Sequence, residues 1–315
     1  MFKAKKVLVG AIAIALLTTT GIQTSTAAPK NQARAVAQPD WLEQNIDNPK
    51  VRIIEVSTEP GLYERGHIKN AVKIVWHTDL VDTVNRDIAS AKNFQKLAQK
   101  IGISQDTTVV LYGDKNNWFA AWGAWVFNIY GAKDVRVLDG GRVKWEKDGR
   151  ALTTAVPTFK AGNFTTRVAD KSLRASLLQD VLPVAKKRVK ADLIDIRSAD
   201  EYNGKIFAPA GFQELAVRAG HIPGAINVPW GQNVNADGTF KTVAELKKLY
   251  ADKGVDGKQN IITYCRIGER SSLTWFVLSE ILGYNVKNYD GSWTEYGNSV
   301  GVPISNPAGT IWGNS

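Results

Sequence analysis

The stretch AGHIPGAINVPW, residues 219–230, occurs a second time in the chain as RGHIKNAVKIVW, residues 65–76. Upstream of each copy lies a second matched pair, RIIEVS at 52–57 and DLIDIR at 192–197. The offset is 140 residues for this upstream pair and 154 for the first, so the second copy has gained 14 residues, within NGKIFAPAGFQELAVR at 203–218. Repetition on this scale indicates a tandem duplication of a whole domain.

Each copy alternates short β-rich runs with helix-like stretches such as residues 89–102 and 242–254. The predicted strands are residues 53–56, 71–75, 109–112 and 135–138 in the first copy, and 193–196, 225–228, 261–264 and 286–289 in the second. Apolar strands that alternate with helices are typical of a parallel sheet covered on both faces. The sequence therefore predicts an α/β protein of two tandem domains, each a parallel sheet flanked by helices on both faces.

The domain boundaries follow from the repeat. The first domain is predicted at residues 37–157 and the second at 177–310, joined by a polar linker at 158–176 that lacks a clear period. The N-terminus has lysines at positions 3, 5 and 6, an apolar run at 7–17 and small residues up to 25–27. This pattern predicts a signal peptide at 1–28, followed by a linker at 29–36.

Export to a periplasm or the cell exterior follows from that prediction. The alternative, an uncleaved anchor, is disfavoured because the apolar run is too short to span a bilayer comfortably. No stable membrane association is expected after the signal is removed. The formal charge is +10, or +7 without the three leader lysines. Basic residues are scattered except at 186–188, so a small anionic partner is favoured over nucleic acid.

The chain has one cysteine, Cys265, which cannot form an internal disulfide. It directly follows the predicted strand 261–264, and a helix is predicted at 271–282. In open parallel sheets, ligands bind at the carboxyl ends of the strands. Arg266 and Arg270 lie in this loop, and positive charge and converging N–H groups favour the thiolate, which is the nucleophile. We therefore interpret Cys265 as reactive; the alternative is a buried, inert thiol. No metal-ligand spacing and no glycine-rich phosphate loop occurs, so neither a metal nor a cofactor is expected.

Four motifs in this order give the chain a family resemblance: DIRSADEY (195–202), RAGHIPGAINVPW (218–230), CRIGERSS (265–272) and DGSWTEYG (290–297). Together they resemble the tandem-domain rhodanese family, of the thiosulfate sulfurtransferase type. The resemblance implies two similar α/β domains with catalysis in the second. It implies that Cys265 attacks the outer sulfur of thiosulfate, releases sulfite and holds a persulfide, which cyanide or a thiol acceptor then discharges.

The resemblance also implies roles for residues around Cys265. Arg197 would reach the anionic end of the donor, with Arg266 and Arg270 as further substrate-binding residues. The remaining loop residues would be Ile267, Gly268, Glu269 and Ser271. Asp195 is interpreted as holding the loop or the arginines, and Trp293 is a candidate for the pocket wall.

The first copy lacks this set of residues. Two further pairs, VVLYGD (109–114) with IITYCR (261–266) and NIYGAKDVRVLDGG (128–141) with EILGYNVKNYDGS (280–292), have offsets of 151 to 152. These offsets carry Cys265 back to Gly113 or Asp114, and the offset of 140 carries Arg197 back to Ser57. The first domain is therefore predicted to be non-catalytic and to form one wall of the cleft. For Trp118, core packing is favoured over a place in that wall. His67 and His221 occupy equivalent positions and are interpreted as structural, because the inactive copy keeps its histidine.

Three other functions are considered. Some cell-cycle phosphatases resemble this family but have five residues between cysteine and arginine, whereas here there are four, 266–269. A 3-mercaptopyruvate sulfurtransferase would use the same fold. Enzymes of that kind typically have a loop with a small, uncharged residue where this chain has Arg266. A persulfide carrier or redox thiol protein, which transfers sulfur once to a partner, could use the same cysteine.

Overall fold

The computed structural model describes residues 1, 32–213 and 215–311. The predicted signal peptide, apart from Met1, and the first three residues of the predicted 29–36 linker lie outside the described residues. No helix in the described part of the chain is both long and apolar enough to cross a membrane.

Two parallel sheets organise the described chain. The strands are, in chain order, β1 (Val36–Ala37), β2 (Val51–Glu55), β3 (Ala71–Lys73), β4 (Val81–Asp82), β5 (Asp87–Ile88), β6 (Thr108–Tyr112), β7 (Asp134–Leu138), β8 (Asp192–Asp195), β9 (Ile226–Asn227), β10 (Ile261–Tyr264) and β11 (Val286–Asn288). The first sheet has the order β1-β7-β6-β2-β3 and the second the order β11-β10-β8-β9. Every pairing within these two sheets is parallel, whereas β4 and β5 form an antiparallel hairpin.

Helices connect the strands. They are α1 (Gln32–Ala35), α2 (Pro39–Gln44), α3 (Leu62–Arg65), α4 (Trp76–Asp79), α5 (Ala91–Lys100), α6 (Trp118–Ile129), α7 (Gly141–Lys147), α8 (Leu182–Ala185), α9 (Ala199–Tyr202), α10 (Val243–Ala251), α11 (Glu269–Trp275) and α12 (Ser292–Asn298). Short 3₁₀ turns cover Lys115–Asn117, Lys171–Leu173 and Trp230–Asn233, and π-helical turns cover Leu177–Val181 and Phe276–Ile281. This architecture confirms the predicted fold class.

The central strands agree best with the sequence. The predicted strand 261–264 coincides with β10, all of whose residues are buried. The predicted strands 71–75 and 225–228 are shorter in the structure, as β3 and β9. Both of these strands lie at a sheet edge and have a neighbour on one side only, so fewer hydrogen bonds hold them extended.

Hydrogen bonds fix the correspondence between the two domains. The hydroxyl of Tyr112 accepts a hydrogen bond from the backbone N–H of Ile68, at 3.0 Å, and Tyr264 accepts the same bond from Ile222, at 3.2 Å. Tyr112 and Tyr264 are therefore equivalent, and Gly113 is the residue that occupies the position of Cys265. The equivalence decides between the two alternatives that the sequence offsets left open.

The paired histidines hold turns in both domains. His67 stacks on Tyr63 with ring centroids 3.8 Å apart, and His221 stacks on Tyr202 at 3.6 Å. In each case Nδ1 is hydrogen-bonded to the backbone carbonyl of that tyrosine. The same contacts occur with and without a nearby thiol, which agrees with a structural role.

Helices α6 and α11 join the domains through a shared hydrophobic core. Helix α6 is apolar on nearly all sides, as expected for a helix buried between two layers. Its buried residues Trp122 and Trp125 belong to the same core as Leu273 and Trp275 of α11. The predicted helix 271–282 begins two residues earlier, at Glu269, and continues beyond Trp275 as a π-helical turn.

Each domain also extends a hairpin onto the other. Arg86, between β4 and β5, donates hydrogen bonds to the carbonyls of Ile267 and Asp290 in the second domain, both at 3.2 Å. In the opposite direction, Phe240 lies in a hairpin of the second domain, and its N–H donates to the carboxylate of Asp139 at 2.8 Å. Asp290 and Asp139 are repeat equivalents, so the contact is approximately symmetric.

Candidate active site

The carboxyl ends of β8 and β10 bring the predicted site residues together. Cys265 directly follows β10 and is fully buried. Its backbone N–H donates to Ser292 Oγ at 3.1 Å, and its carbonyl accepts from the N–H of Trp293 at 3.0 Å. The start of α12 thus fixes the backbone of Cys265 on both sides, so the position of the sulfur depends on the loop that follows.

That loop turns sharply at Gly268, whose φ of +99° is a conformation that side-chain-bearing residues rarely adopt. A Cβ at this position would lie 2.7 Å from the Trp122 ring and 2.7 Å from Asp290 Cα. The turn points the Gly268 N–H at Cys265 Sγ, 3.1 Å away. Ser271 and Ser272 donate their hydroxyl protons to the Gly268 carbonyl, at 3.0 and 2.8 Å, and hold the turn from the helix side.

The environment of Cys265 favours the neutral thiol. Burial raises the pKa of the Cys265 thiol, and the carboxylate of Glu269, with Oε2 3.5 Å from Sγ, raises it further. Arg270 and the N–H groups of Ser271 and Gly268 act in the opposite direction but are outweighed. This direction is opposite to the one expected from the two loop arginines: burial and Glu269 outweigh Arg270, and the pKa of Cys265 lies above its usual value.

Arg270 is already paired. Its guanidinium contacts both carboxylate oxygens of Glu201, at 3.1 and 3.2 Å, and both side chains are buried. Burial alone would raise the pKa of Glu201, but the charge and hydrogen bonds of Arg270 outweigh it and the pKa lies below its usual value. A donor that binds Arg270 must therefore share this cation with Glu201.

Arg197 lies beneath the site. Its side chain is 1% exposed, and Nη2 donates to the carboxylate of Asp195 at 2.6 Å and to the carbonyl of Gly220 at 2.7 Å. The guanidinium carbon also lies 4.6 Å from the ring centroid of Trp293, which is itself buried. This placement does not support the predicted contact between Arg197 and the donor; it supports a role in holding the strand end, with Asp195 as its partner.

Arg266 connects the loop to the insertion of the second copy. Its Nη1 donates to the carbonyl of Gln213 at 2.6 Å, and its guanidinium lies 5.9 Å from the ring of Phe212. Both partners belong to the 203–218 insertion, which this contact holds beside the loop. Ile267 is half-buried, and its carbonyl accepts the hydrogen bond from Arg86 of the first domain.

A pocket of about 360 Å³ opens beside Arg270. Its lining is mainly apolar and comes from both domains: Trp118, Ser198, Glu201, Pro209, Phe212, Pro229, Trp230, Gly231 and Arg270. The rings of Trp118 and Trp230 meet edge to face at 4.7 Å. Trp118 thus forms part of the cleft wall, the role that the sequence interpretation had ranked second, and the first domain contributes to this pocket.

The equivalent position in the first domain has no room for a side chain. A Cβ at Gly113 would lie 2.3 Å from the carbonyl oxygen of Val56. Ser57 replaces Arg197, and the following residue, Asp114, accepts hydrogen bonds from the backbone N–H groups of Thr58 and Glu59. A carboxylate thus fixes this loop internally.

Sequence reasoning missed three residues at the site. Glu201 lies within the quoted DIRSADEY motif, and its spacing from Ser198, which forms a capping box, could have drawn attention to it. Arg86 has no signal beyond its place in a hairpin of the first copy. Arg174 belongs to the predicted linker, yet it binds the Asp290 carboxylate at 2.8 and 2.9 Å. Within the described ranges, no group of three or more His, Cys, Asp or Glu side chains could hold a metal ion.

Comparisons with known proteins identify the family of the chain. The rhodanese-like domain model matches residues 38–148 and 180–299. A Mycolicibacterium smegmatis protein named "Putative thiosulfate sulfurtransferase" is 52% identical over 267 residues, covering 84% of this chain and 95% of the relative. The sulfur carrier protein TtuD of Thermus thermophilus is 51% identical over 271 residues, covering 84% and 94%. The crystal structure of SseA from Escherichia coli, described among 3-mercaptopyruvate sulfotransferases, superposes with a TM-score of 0.70 at 28% identity, covering 82% and 98%. The chain belongs to the rhodanese-like family.

Proposed function

We propose that this protein is a sulfurtransferase that moves the outer sulfur of thiosulfate through a persulfide on Cys265 to cyanide or a thiol acceptor, and releases sulfite. The observation that carries the proposal is the position of Cys265: a lone cysteine at a strand end, with the Gly268 N–H directed at its sulfur at 3.1 Å. The likeness to relatives named for thiosulfate sulfur transfer supports it.

The loop is suited to hold the negative charge of a persulfide. When the Cys265 sulfur attacks, a new S–S bond forms and the S–S bond of thiosulfate breaks, leaving charge on the terminal sulfur of the persulfide. A fixed N–H donor such as that of Gly268 stabilises this charge without reorganising. Because Cys265 is fully buried, the 265–270 loop or the insertion must shift before a donor can reach it. The contact of Arg266 with Gln213 is one tether that such a movement would release.

The proposed donor is thiosulfate in preference to 3-mercaptopyruvate, with Arg266 and Arg270 as the cations that meet it. Two alternatives remain candidates. Transfer from 3-mercaptopyruvate is supported by the structural likeness to SseA, and the mainly apolar pocket lining suits an organic donor. A single-transfer carrier is supported by the similarity to TtuD, which is named a sulfur carrier protein.

Mass spectrometry tests the persulfide directly. After treatment with thiosulfate, the peptide that contains Cys265 should gain one sulfur atom, and Cys265→Ser should gain none, because a hydroxyl cannot hold a persulfide. Full sulfur transfer by Cys265→Ser would contradict the proposal. Steady-state kinetics with thiosulfate and 3-mercaptopyruvate, each with cyanide, would rank the donors. Multiple turnover would support the enzyme, whereas one stoichiometric transfer would support the carrier.

We also propose that the protein is exported, on the basis of the basic and apolar leader at residues 1–28. Expression of the full chain in a bacterial host, followed by fractionation and N-terminal sequencing, tests this. A mature protein outside the cytoplasm that begins near residue 29 is expected. An intact N-terminus in the cytoplasmic fraction would contradict it.

A further inference from the structure

Glu269 lies four residues after Cys265, and its carboxylate is positioned to receive the thiol proton. Sγ donates toward Oε2 at 3.5 Å, a normal distance for a sulfur donor, and the two residues are 0% and 4% exposed. A carboxylate at this place raises the cost of forming a thiolate and opposes an anionic donor. Its electrostatic effect on the resting site is therefore unfavourable to the proposed reaction unless the carboxylate itself changes charge.

Glu269 has a long ion-pair contact, with Arg270 at 3.9 Å. The other charged groups in the loop, buried around it or bonded to it are Arg266, Arg270, Glu201, Asp195, Arg197, Asp290 and Arg86. Arg266 donates to the carbonyl of Gln213. Asp195 is bound to Arg197, and Asp290 is bound to Arg174. Arg86 donates to backbone carbonyls. Arg270 contacts Glu201 at 3.1 Å but reaches Glu269 only at 3.9 Å. Of these carboxylates, Glu269 has the weakest contact with a cation, so it is the best placed to accept a proton.

We propose that Glu269 is the general base of sulfur transfer: it takes the proton of the Cys265 thiol as the donor is attacked and then delivers that proton to the departing sulfite. The proposal rests on the proposed function, because it assigns the proton in the same step. General bases act over hydrogen-bond distances that are often longer before substrate binds, which fits the observed contact.

The step balances in atoms and charge. The S–H proton moves to Glu269 Oε2, and the sulfur electron pair forms a bond to the outer sulfur of thiosulfate. The S–S bond of thiosulfate breaks, and its electron pair leaves with sulfite. Sulfite then takes the proton from Glu269. A thiol and the thiosulfate dianion thus give an anionic persulfide and hydrogensulfite, and no external oxidant or reductant is needed.

This assignment also accounts for an acid in a site that receives an anion. Once Glu269 carries the proton, its side chain is neutral and no longer repels the donor. Arg270 then shares its charge with Glu201 and the donor alone. The proton transfer to Glu269 and the binding of the anionic donor are thereby coupled through one side chain.

The test compares Glu269→Gln with wild type in two measurements. Glutamine keeps the size of the side chain but cannot accept the proton. The first measurement is the rate of alkylation of Cys265 by iodoacetamide as a function of pH. Removing the negative charge should move this profile to lower pH, so that Glu269→Gln alkylates faster than wild type at neutral pH.

The second measurement is single-turnover persulfide formation from thiosulfate, followed by rapid quenching and mass spectrometry. At neutral pH Glu269→Gln should be about 100-fold slower, within the range that general bases contribute. Its rate should rise with pH in step with its own alkylation profile, whereas the wild-type rate should depend little on pH. A merely structural or electrostatic role predicts parallel changes in the two measurements rather than opposite ones.

Two variants complete the design. Glu269→Asp retains a carboxylate and should recover part of the persulfide rate. Glu295→Gln removes an exposed carboxylate from α12 and should match wild type in both measurements. Persulfide formation by Glu269→Gln at or above the wild-type rate would overturn the inference. If wild type forms no persulfide from thiosulfate, the thiosulfate assignment of the proposed function fails, and the same rate comparison is made with 3-mercaptopyruvate as the donor: a loss of rate in Glu269→Gln that Glu295→Gln does not share supports the inference, and equal rates overturn it.

Discussion

At the scale of single residues, the effect of the charges near Cys265 depends on which partner each charged group binds, and not only on how many charges there are. Arg197 is bound to Asp195, Arg270 to Glu201, and Arg266 to the carbonyl of Gln213. Two of these three cations are therefore paired with a carboxylate, whereas Arg266 is held by a neutral carbonyl and keeps its charge. The selectivity of the site depends on which of these contacts a donor can share or replace.

The pair of Glu201 and Arg270 should be important for stability. Replacing Glu201 by Gln leaves a buried guanidinium without its counter-charge, and loss of one partner of a buried pair costs about 3–5 kcal/mol. Because Arg270 holds the pKa of Glu201 below its usual value, the contribution is present at neutral pH. It is lost as the pH falls through the folded-state pKa and Glu201 becomes protonated.

Urea denaturation of wild type and Glu201→Gln at neutral and acidic pH checks this. The difference in midpoint should be large at neutral pH and should shrink in acid. As a matched control, Asp252→Asn removes one partner of the exposed pair with Lys248 and should cost less than about 1 kcal/mol. Equal midpoints for Glu201→Gln and wild type at neutral pH would contradict the prediction.

The residues that sequence could predict are those whose role is local. Cys265 and Gly268 follow from strand-to-turn chemistry, because a strand end and a glycine define the loop. The partner of Arg270 lies 69 residues away in Glu201, and that of Arg266 lies 53 residues away in Gln213. Distant partners of this kind decide what an arginine binds, which the local sequence does not indicate. The direction of the Cys265 pKa shift differs from the expectation because burial and the carboxylate of Glu269 outweigh Arg270.

At the scale of elements, the β4–β5 hairpin acts on the loop of the other domain. Arg86 lies at its tip in a left-handed conformation, with φ of +51°, and donates to Ile267 and Asp290. These two carbonyls flank the loop and the start of α12. A hairpin of the first domain therefore fixes the backbone of the loop that carries Cys265, and we predict that Arg86 acts as a positioning residue.

Replacing Arg86 by Ala should lower kcat about tenfold, which corresponds to ~1.4 kcal/mol in the activation free energy. KM for the donor should stay nearly unchanged, because a displaced loop slows the attack by Cys265 without altering donor binding. Arg86→Lys should recover part of the loss, because it keeps a cationic donor. Steady-state kinetics with the donor that loads Cys265 checks this. Arg65, whose ion pair with Glu59 is exposed, gives the control variant Arg65→Ala, which should behave as wild type. An unchanged kcat in Arg86→Ala would refute the positioning role.

Elements in the sheet interiors were predictable, and their contacts across domains were not. The apolar run 261–264 corresponds to β10 because its residues are buried on both faces. The helix after the loop began earlier than predicted, since Gly268 turns the chain at once and leaves Glu269 as the first helical residue. The hairpin contact of Arg86 depends on how the two domains pack together. The local sequence of either domain does not predict that packing.

At the scale of the whole molecule, the two domains share one hydrophobic core. Buried residues of α6 and of α11 belong to a single cluster, and the Trp122 ring lies against Gly268 of the loop. The linker adds an ion pair, as Arg174 contacts both Asp290 and Asp87. Separating the domains would expose the largely apolar surface of α6 to water.

We therefore expect one cooperative unfolding transition rather than two. Because the apolar contacts between α6 and α11 are lost when either domain unfolds, the remaining domain should be too unstable to persist alone. Scanning calorimetry checks this: the calorimetric and van't Hoff enthalpies should agree. Replacing Trp122 by Ala should lower the melting temperature of the whole protein. Two resolved transitions, in wild type or in Trp122→Ala, would contradict the prediction.

The crowded backbone at Gly113 limits which side chains the first domain can accept at this position. A cysteine at this position would place its Cβ 2.3 Å from the Val56 carbonyl oxygen, so a single substitution cannot introduce a thiol there without a shift of the backbone. Such a shift would also require Asp114 to give up its hydrogen bonds to Thr58 and Glu59. The backbone geometry of the first domain thus opposes a cysteine at this position. We expect substitutions in the first domain to matter mainly through its contacts with the second domain.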